Sequence, residues 1–324
     1  MSGELEILTD SAERLFADYV TPELFQSVEA GDWPETLWRA VTTAGFERAE
    51  MPVVAATVCR VAGRYAAPIP LAETILVASV LENAGIEVPA GALTIAPTPL
   101  AIDSTGVLSG TAHRVPWARH TAYIAVPCNN DTLALVETAR TQISPGQNIA
   151  GEPRDHVGFD SAMAIQVVDG ISPATLYEQA ALLRAAQIAG ALERILSLTV
   201  QYAGERKQFG RPIGKFQAVQ HHLAELAGHT AAASAAVEAA AEAPGFFSAA
   251  AAKACASEAA GEAASIAHQI HGAIGFTEEH VLHRYTKALW AWREEFGNEA
   301  EWNARLGSHM AALGSAALWP ELAG

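Results

Sequence analysis

The sequence is poor in positive charge, and this shortage limits what the protein can bind. Its 324 residues include 20 Lys and Arg against 36 Asp and Glu, a formal net charge of −16. A surface of that sign repels nucleic-acid phosphates and anionic lipid headgroups, so we expect neither a nucleic-acid partner nor a membrane surface. A phosphate-bearing small ligand is still compatible with the composition, because a few local basic side chains are enough to bind one.

Cysteines and long hydrophobic runs are also scarce. Cys59, Cys128 and Cys255 are odd in number and widely spaced, which fits neither a disulfide framework nor a zinc site. The N-terminal segment is acidic where a signal peptide would be basic and then apolar. No run of about 18 apolar residues is available to span a bilayer. These absences together predict a soluble, cytoplasmic protein.

Several common enzyme signatures are missing as well. There is no Gly-x-Gly-x-x-Gly segment after a strand and no Gly-x-Ser-x-Gly elbow, so a Rossmann NAD site and a serine hydrolase are unsupported. His221, His222 and His229 lie at helical spacing but have no carboxylate or cysteine companion, so we predict no metal site.

What is present is an apolar chain, 50% hydrophobic, with three regions of different texture. Residues 1–87 show apolar positions three and four apart and are predicted to form an N-terminal helical domain. Residues 88–171 contain short β-branched segments broken by Pro, Gly and Asn, which predict a small antiparallel β domain. Residues 172–324 are Ala-rich and predict a C-terminal four-helix bundle, with helices over 173–204, 216–242, 246–270 and roughly 279–293. The predicted fold class is therefore mainly α with a small β domain.

The most informative motif joins two of the predicted bundle helices. The segment GERKQFGRPIGKFQAVQH, residues 204–221, brings together four cationic side chains: Arg206, Lys207, Arg211 and Lys215. Its glycines let backbone approach a ligand closely, and its charges suit a phosphate or pyrophosphate. By composition alone, a solvated turn between helices is the simpler explanation of the segment.

Two further motifs follow it. HQIHGAIGFT, residues 268–277, ends an Ala-rich helix with a Gly-x-x-Gly turn; a plain helix stop accounts for one of these glycines. WAWREEFGNE, residues 290–299, places paired carboxylates beside two Trp and a Phe. An apolar wall raises the proton affinity of a carboxylate and makes it a better base, although the acidic residues of a helix end are often simply exposed.

In this order, the three motifs resemble the acyl-CoA dehydrogenase family, with the short subunits of the actinobacterial type as the nearest pattern. ERKQFGRPIGKFQAVQ is similar to the family's Arg-x-x-Phe-Gly…Gln flavin segment, and QIHGAIGF to its Gln-(x)2-Gly-Gly-x-Gly-Phe segment. The resemblance is strong over about 173–305. It implies a helical domain, a β domain and a four-helix bundle.

The resemblance also implies roles for individual residues. Those expected to bind FAD, partly that of a neighbouring subunit, are Arg206, Phe209, Gln217, Gln269, Gly272 and Gly275. Placing Thr277 on the family's Thr after Gly-Phe puts Glu295 on the catalytic glutamate, with Glu294 as the alternative one residue away. The implied reaction removes an α proton and a β hydride from an acyl-CoA thioester, and gives the trans-2-enoyl-CoA and reduced flavin. An electron-transfer flavoprotein is the implied electron acceptor.

The β region departs from the family pattern. It is short, and no Thr-Glu-Pro segment occurs between residues 88 and 125. Trp117 either flanks the flavin ring or is buried in a β core. We therefore expect this chain to share its FAD site within a tetramer, either a homotetramer or an α2β2 heterotetramer with a longer acyl-CoA dehydrogenase subunit. A non-catalytic partner subunit and a related flavoprotein oxidase or monooxygenase are the alternatives. The sequence leaves the acyl group open, including a bulky steroid side chain.

Overall fold

The N-terminal region is helical, as its apolar spacing predicts. A computed structural model describes residues 2–314 and residue 320. The first helices are α1 Ser2–Tyr19, α2 Pro22–Glu29, α3 Glu35–Thr43, α4 Val53–Arg64 and α5 Leu71–Asn83. Local chemistry sets the boundaries: the Thr21 hydroxyl accepts a hydrogen bond from the Leu24 amide at 3.3 Å, and Pro22 occupies the first helical position.

Two four-stranded sheets follow. One has the order β1-β4-β5-β8, built from β1 Leu93–Ile95, β4 Tyr123–Cys128, β5 Thr132–Glu137 and β8 Gln166–Asp169. The other has the order β2-β3-β7-β6, built from β2 Ala101–Ile102, β3 Val107–Pro116, β7 Arg154–Met163 and β6 Gln142–Ser144. The prediction of antiparallel pairing is wrong for β1 and β4, which run parallel with Leu93 opposite Tyr123. Between these two strands the chain forms β2 and β3, and a connection of that length allows the strands to lie parallel to each other.

The first sheet lies between the helices and the second sheet. Leu133 and Leu135 of β5 pack into the helical core, whereas Ala134 and Val136 pack into the core between the sheets. Alternate residues of a strand point to opposite faces, so one strand can serve both cores. This sheet therefore connects the β region to the helices around the candidate site.

The C-terminal region is a helical bundle. It contains α6 Pro173–Glu205, a short hairpin of β9 Lys207–Gln208 and β10 Arg211–Pro212, then α7 Gln217–Glu242, α8 Phe246–His271, α9 Leu282–Glu294 and α10 Glu299–Leu313. The predicted fold class is confirmed. Helix α10 is not among the predicted helices, although Asn298 caps it by accepting from the Glu301 amide at 3.1 Å.

Glycines allow α6 to pack directly on α4. A Cβ at Gly190 would lie 1.8 Å from the Arg60 carbonyl oxygen, and one at Gly63 would lie 2.0 Å from that of Gln187. Only glycine permits such backbone contact. In the described ranges, no helix combines the length and the hydropathy required to cross a bilayer.

Candidate functional site

The chain reverses direction sharply after α9, and this turn separates the two acidic candidates. Glu295 leaves the helix in an extended conformation, and Phe296 and Gly297 then adopt φ of +53° and +85°. A Cβ at Gly297 would lie 2.6 Å from Trp302 Nε1, so the turn requires glycine there. Glu294 is exposed and accepts from Asn298 Nδ2 at 2.9 Å, whereas Glu295 is buried.

Both carboxylate oxygens of Glu295 have cationic partners. Arg154 donates from Nε to Oε1 at 2.7 Å and from Nη2 to Oε2 at 2.9 Å. Arg184 Nη2 lies 2.9 Å from Oε2, and Asn148 Nδ2 donates to Oε1 at 3.2 Å. Glu295 is only 8% exposed. Its hydrogen-bonding capacity is therefore directed into the protein and largely used there.

The ion pairs continue beyond Glu295 into a buried network. Glu152 Oε2 accepts from Arg154 at 2.9 Å and from Trp292 Nε1 at 3.1 Å. Arg184 also pairs with Glu73. The network thus places three carboxylates and two guanidinium groups in the interior, and it ties α5, the segment before β7, α6 and the end of α9 together. We call Glu73, Glu152, Arg154, Arg184 and Glu295 the buried ion network.

These contacts determine the proton affinity of Glu295. Burial by itself raises the pKa of this carboxyl, but the charges of Arg154 and Arg184 outweigh burial and lower the pKa to about 2. A carboxylate with so low a pKa is fully ionised at neutral pH, yet it is a weak acceptor for a carbon-bound proton. This environment differs from the apolar wall that the sequence predicts around the base.

A cavity of about 320 Å³ lies beside the same turn, between the β region and α6. Its wall is mostly apolar, and Phe296, rather than Glu295, contributes to it from the turn. Tyr177 lies across from Phe296 in an edge-to-face contact with ring centroids 6.0 Å apart, and Arg305 reaches the rim. The remaining lining residues are Ile95, Ala96, Pro97, Thr98, Pro99, Pro127, Pro173, Ala174, Leu176 and Ala180.

Of the two positions predicted for Trp117, beside the flavin ring or buried in a core, the structure shows the buried one. It is 1% exposed and has a φ of +55°. Its ring packs edge-on against Trp33, with centroids 6.0 Å apart, and near His120. Trp117 is therefore a core residue within this chain.

The cationic motif projects from the end of the bundle. Arg206 follows the last residue of α6, and Phe209, at the tip of the hairpin, is 91% exposed with a φ of +52°. Gln217 begins α7 and is exposed. Between residues 2 and 314, the structure gives no carboxylate partner to the four cations of the motif, Arg206, Lys207, Arg211 and Lys215. Unpaired positive charge beside an exposed aromatic ring suits the pyrophosphate and adenosine of a dinucleotide.

The glycine motif lies at the same end of the bundle. Gln269 is exposed on the last turn of α8, and Gly272, with a φ of +64°, ends that helix. Gly275 is buried, where a Cβ would approach Leu282 to 3.1 Å. Tyr202, near the end of α6, stacks on His271 at 4.4 Å and joins the two motifs.

Glu295 is far from these cofactor candidates. It contacts Arg184, and Arg184 and Arg206 are separated along α6 by about 33 Å at 1.5 Å per residue. The structure thus groups Arg206, Phe209, Gln217, Gln269, Gly272 and Gly275 at one end of the bundle and places Glu295 away from that end. The roles of all seven residues stay predictions.

Sequence reasoning missed Arg184, a partner of Glu295, and Glu73, which pairs with Arg184. Arg184 and Glu73 are single charges inside apolar helical segments, ALLRAAQIAG and LAETILVAS. A charge on a helix face that is otherwise buried is rarely tolerated without a partner, and this is the signal that could have identified both residues.

Comparisons with known proteins agree with the fold and the motifs. Residues 174–299 match the family model described as the C-terminal domain of acyl-CoA dehydrogenase. The chain is 29% identical over 311 residues to acyl-CoA dehydrogenase IpdE2 of Mycolicibacterium smegmatis. The aligned region covers 89% of this chain and 92% of that protein.

Two solved structures are also similar. A variant of the Tcur3481-Tcur3483 steroid ACAD superposes with a TM-score of 0.88 at 25% identity, covering 96% of this chain and 98% of the other. The ChsE4-ChsE5 complex from Mycobacterium tuberculosis superposes with a TM-score of 0.81 at 24% identity, covering 95% and 97%.

Proposed function

We propose that this chain, whose residues 174–299 match the C-terminal domain of acyl-CoA dehydrogenase, is one subunit of a heteromeric, FAD-dependent enzyme of that family that oxidises a CoA thioester to its trans-2-enoyl product. Two chemical features support this proposal. The cationic motif, which has no carboxylate partner among the described residues, lies beside the glycine motif and suits a dinucleotide. The environment of Glu295, in which both carboxylate oxygens already have cationic partners, is poorly suited to a base that must accept a proton.

The proposed contribution of this chain is to hold the pyrophosphate and adenosine part of FAD. Arg206 supplies charge, Phe209 offers a ring for packing, and Gln217 and Gln269 present amides at the same end of the bundle. Gly272 leaves exposed backbone there, and Gly275 lets the turn pack closely on Leu282. FAD, when bound, supplies the hydride acceptor for the β carbon of the substrate.

We further propose that the base belongs to the longer partner subunit and that Glu295 is a structural anion. A base in this reaction must face the α carbon of the thioester. In this chain the residue of the turn that faces the neighbouring cavity is Phe296, which carries no proton acceptor, while Glu295 faces Arg154 and Arg184. Glu295 then serves to hold the turn against α6 and β7.

The incomplete β region supports heteromeric assembly. No Thr-Glu-Pro segment is present between residues 88 and 125, and Trp117 is committed to the core. Both structural neighbours described above are named as pairs of gene products, which supports a partner of the same family. We propose an α2β2 tetramer that delivers its electrons to an electron-transfer flavoprotein.

Co-expression with longer family members tests this proposal. We expect the chain alone to purify with little flavin, and the complex to bind FAD and to bleach at the flavin absorbance when acyl-CoA is added. A panel of straight-chain and polycyclic acyl-CoA thioesters should be compared, since one structural neighbour is named as a steroid enzyme. Full flavin occupancy of the chain as a homomer would refute the heteromeric assignment.

The alternative, in which Glu295 is the base, makes a different prediction. Glu295→Gln in the flavin-loaded complex would then abolish substrate-dependent flavin reduction while FAD and acyl-CoA still bind. The exposed neighbour offers a matched control, Glu294→Gln. If both variants reduce flavin at similar rates, the base lies on the partner.

A further inference from the structure

Lys253 is a lysine buried completely within the bundle. It lies on α8 with none of its surface exposed. Its ammonium nitrogen is 2.8 Å from Ser257 Oγ, 2.8 Å from the Arg293 carbonyl oxygen and 2.6 Å from the Gly297 carbonyl oxygen. A buried lysine without partners is strongly destabilising, and here each of the three possible hydrogen bonds is made.

The two carbonyl acceptors enclose the turn described above. Arg293 is in the last turn of α9, where carbonyl groups lack helical partners, and Gly297 closes the turn. Glu294, Glu295 and Phe296 lie between them. The same nitrogen atom therefore joins the two ends of the segment that orients Glu295 and Phe296.

The charges around Lys253 also favour a cation at this position. Arg184 of α6 opposes its charge, whereas Glu294 and Glu295 at the end of α9 and Glu299 of α10 favour it. The buried ion network holds one more carboxylate than guanidinium group. A third buried cation nearby compensates that excess.

We propose that Lys253 is a positioning residue that fixes the turn over 293–297, so that Glu295 faces the arginines and Phe296 faces the cavity. Its effect on activity rests on the function proposed above, but its effect on the turn does not. The residue acts through backbone carbonyls, and its complete burial leaves it no surface for a ligand to contact.

The contacts of Lys253 are compatible with both of its protonation states. As an ammonium it donates to all three acceptors. As a neutral amine it donates to the two carbonyls and accepts from the Ser257 hydroxyl. Burial lowers the pKa of Lys253 to about 7, with a further contribution from Arg184, so both forms are populated near neutrality. The turn is thus held on either side of that pH.

Amide hydrogen exchange in the full-length chain, in its native assembly, tests the proposal. Lys253→Met keeps the length of the side chain and removes its donors. We expect amides of residues 294–298 to exchange about tenfold faster, with little change in α6 and α7. Thr230→Val is the control, because Thr230 is also buried, lies on α7 and donates to the Leu226 carbonyl.

Where in the chain amide exchange becomes faster decides between positioning of the turn and general destabilisation. Faster exchange confined to the turn supports positioning, whereas unchanged exchange there, or a uniform increase across the bundle, overturns it. If Lys253→Met does not fold, Ser257→Ala gives the same test with one contact removed: a smaller acceleration in 294–298 supports the proposal, and none overturns it. Because this readout needs neither flavin nor acyl-CoA, it is independent of the proposed function.

Discussion

Arg154 and Glu295 form a two-point ion pair in the interior of the protein, with Nε to Oε1 at 2.7 Å and Nη2 to Oε2 at 2.9 Å. The pair joins the first residue of β7 to the turn after α9. A bidentate pair fixes the direction of both side chains as well as their distance. Glu295 is therefore held away from the cavity that Phe296 lines.

Loss of Arg154 should be costly. Arg154→Met removes the ion-pair partner of Glu152 and one of the two cationic partners of Glu295, so that three buried carboxylates share Arg184 alone within the network, and we expect the free energy of unfolding to fall by about 3–5 kcal/mol. Urea unfolding of the full chain measures this. Arg140→Met, which breaks an exposed pair with Glu137, should cost no more than about 1 kcal/mol. Equal losses for the two variants would contradict a dominant role for the buried ion network.

Acid should weaken the protein through Glu295. Its pKa is lowered from the usual 4.5 to about 2, so its stabilising contribution is complete above pH 4.5 and is lost as the pH falls toward 2. The contribution is up to about 3 kcal/mol by linkage. Unfolding free energies of wild type and Glu295→Gln, measured between pH 6 and 2.5, should differ in slope only in the acid range. Parallel curves would show that Glu295 does not titrate abnormally.

The cationic motif should control cofactor affinity. Arg206→Gln removes a charge proposed to contact FAD, and we expect the dissociation constant for FAD in the complex to rise about 10- to 100-fold, the effect of losing one charge-assisted hydrogen bond. Flavin fluorescence titration measures it. Arg140→Gln, on the β region, is the matched control. Unchanged affinity in Arg206→Gln would exclude the motif from the cofactor site.

Gly297 should be intolerant of a side chain. Gly297→Ala forces an L residue to a φ of +85° and places Cβ 2.6 Å from Trp302 Nε1, so we expect a loss of at least about 1 kcal/mol. Gly307→Ala in α10 meets no atom within 4 Å and should stabilise by about 0.5–1 kcal/mol. Thermal unfolding of both variants checks the contrast. A neutral Gly297→Ala would mean that the turn is easily remodelled.

The helices could be predicted because their signals are local. Apolar residues three and four apart mark α4 and α6, and Pro or Gly marks their ends, so no distant contact is needed to recognise them. Local signals of this kind could not predict that β1 pairs in parallel with β4. Strand pairing joins residues about 30 positions apart, such as Leu93 and Tyr123, and the pattern of each strand is the same in either orientation.

For the candidate site, the sequence alone identified the cationic motif, since its charges and glycines are adjacent in the chain. Its exposure at the end of the bundle came from the structure. The groups that surround Glu295 could be identified only in the folded structure. Its partner Arg154 is 141 residues away, and a one-residue step in the turn separates the buried Glu295 from the exposed Glu294. Proton affinity depends on charges within a few ångströms in space, and only folding brings those charges together.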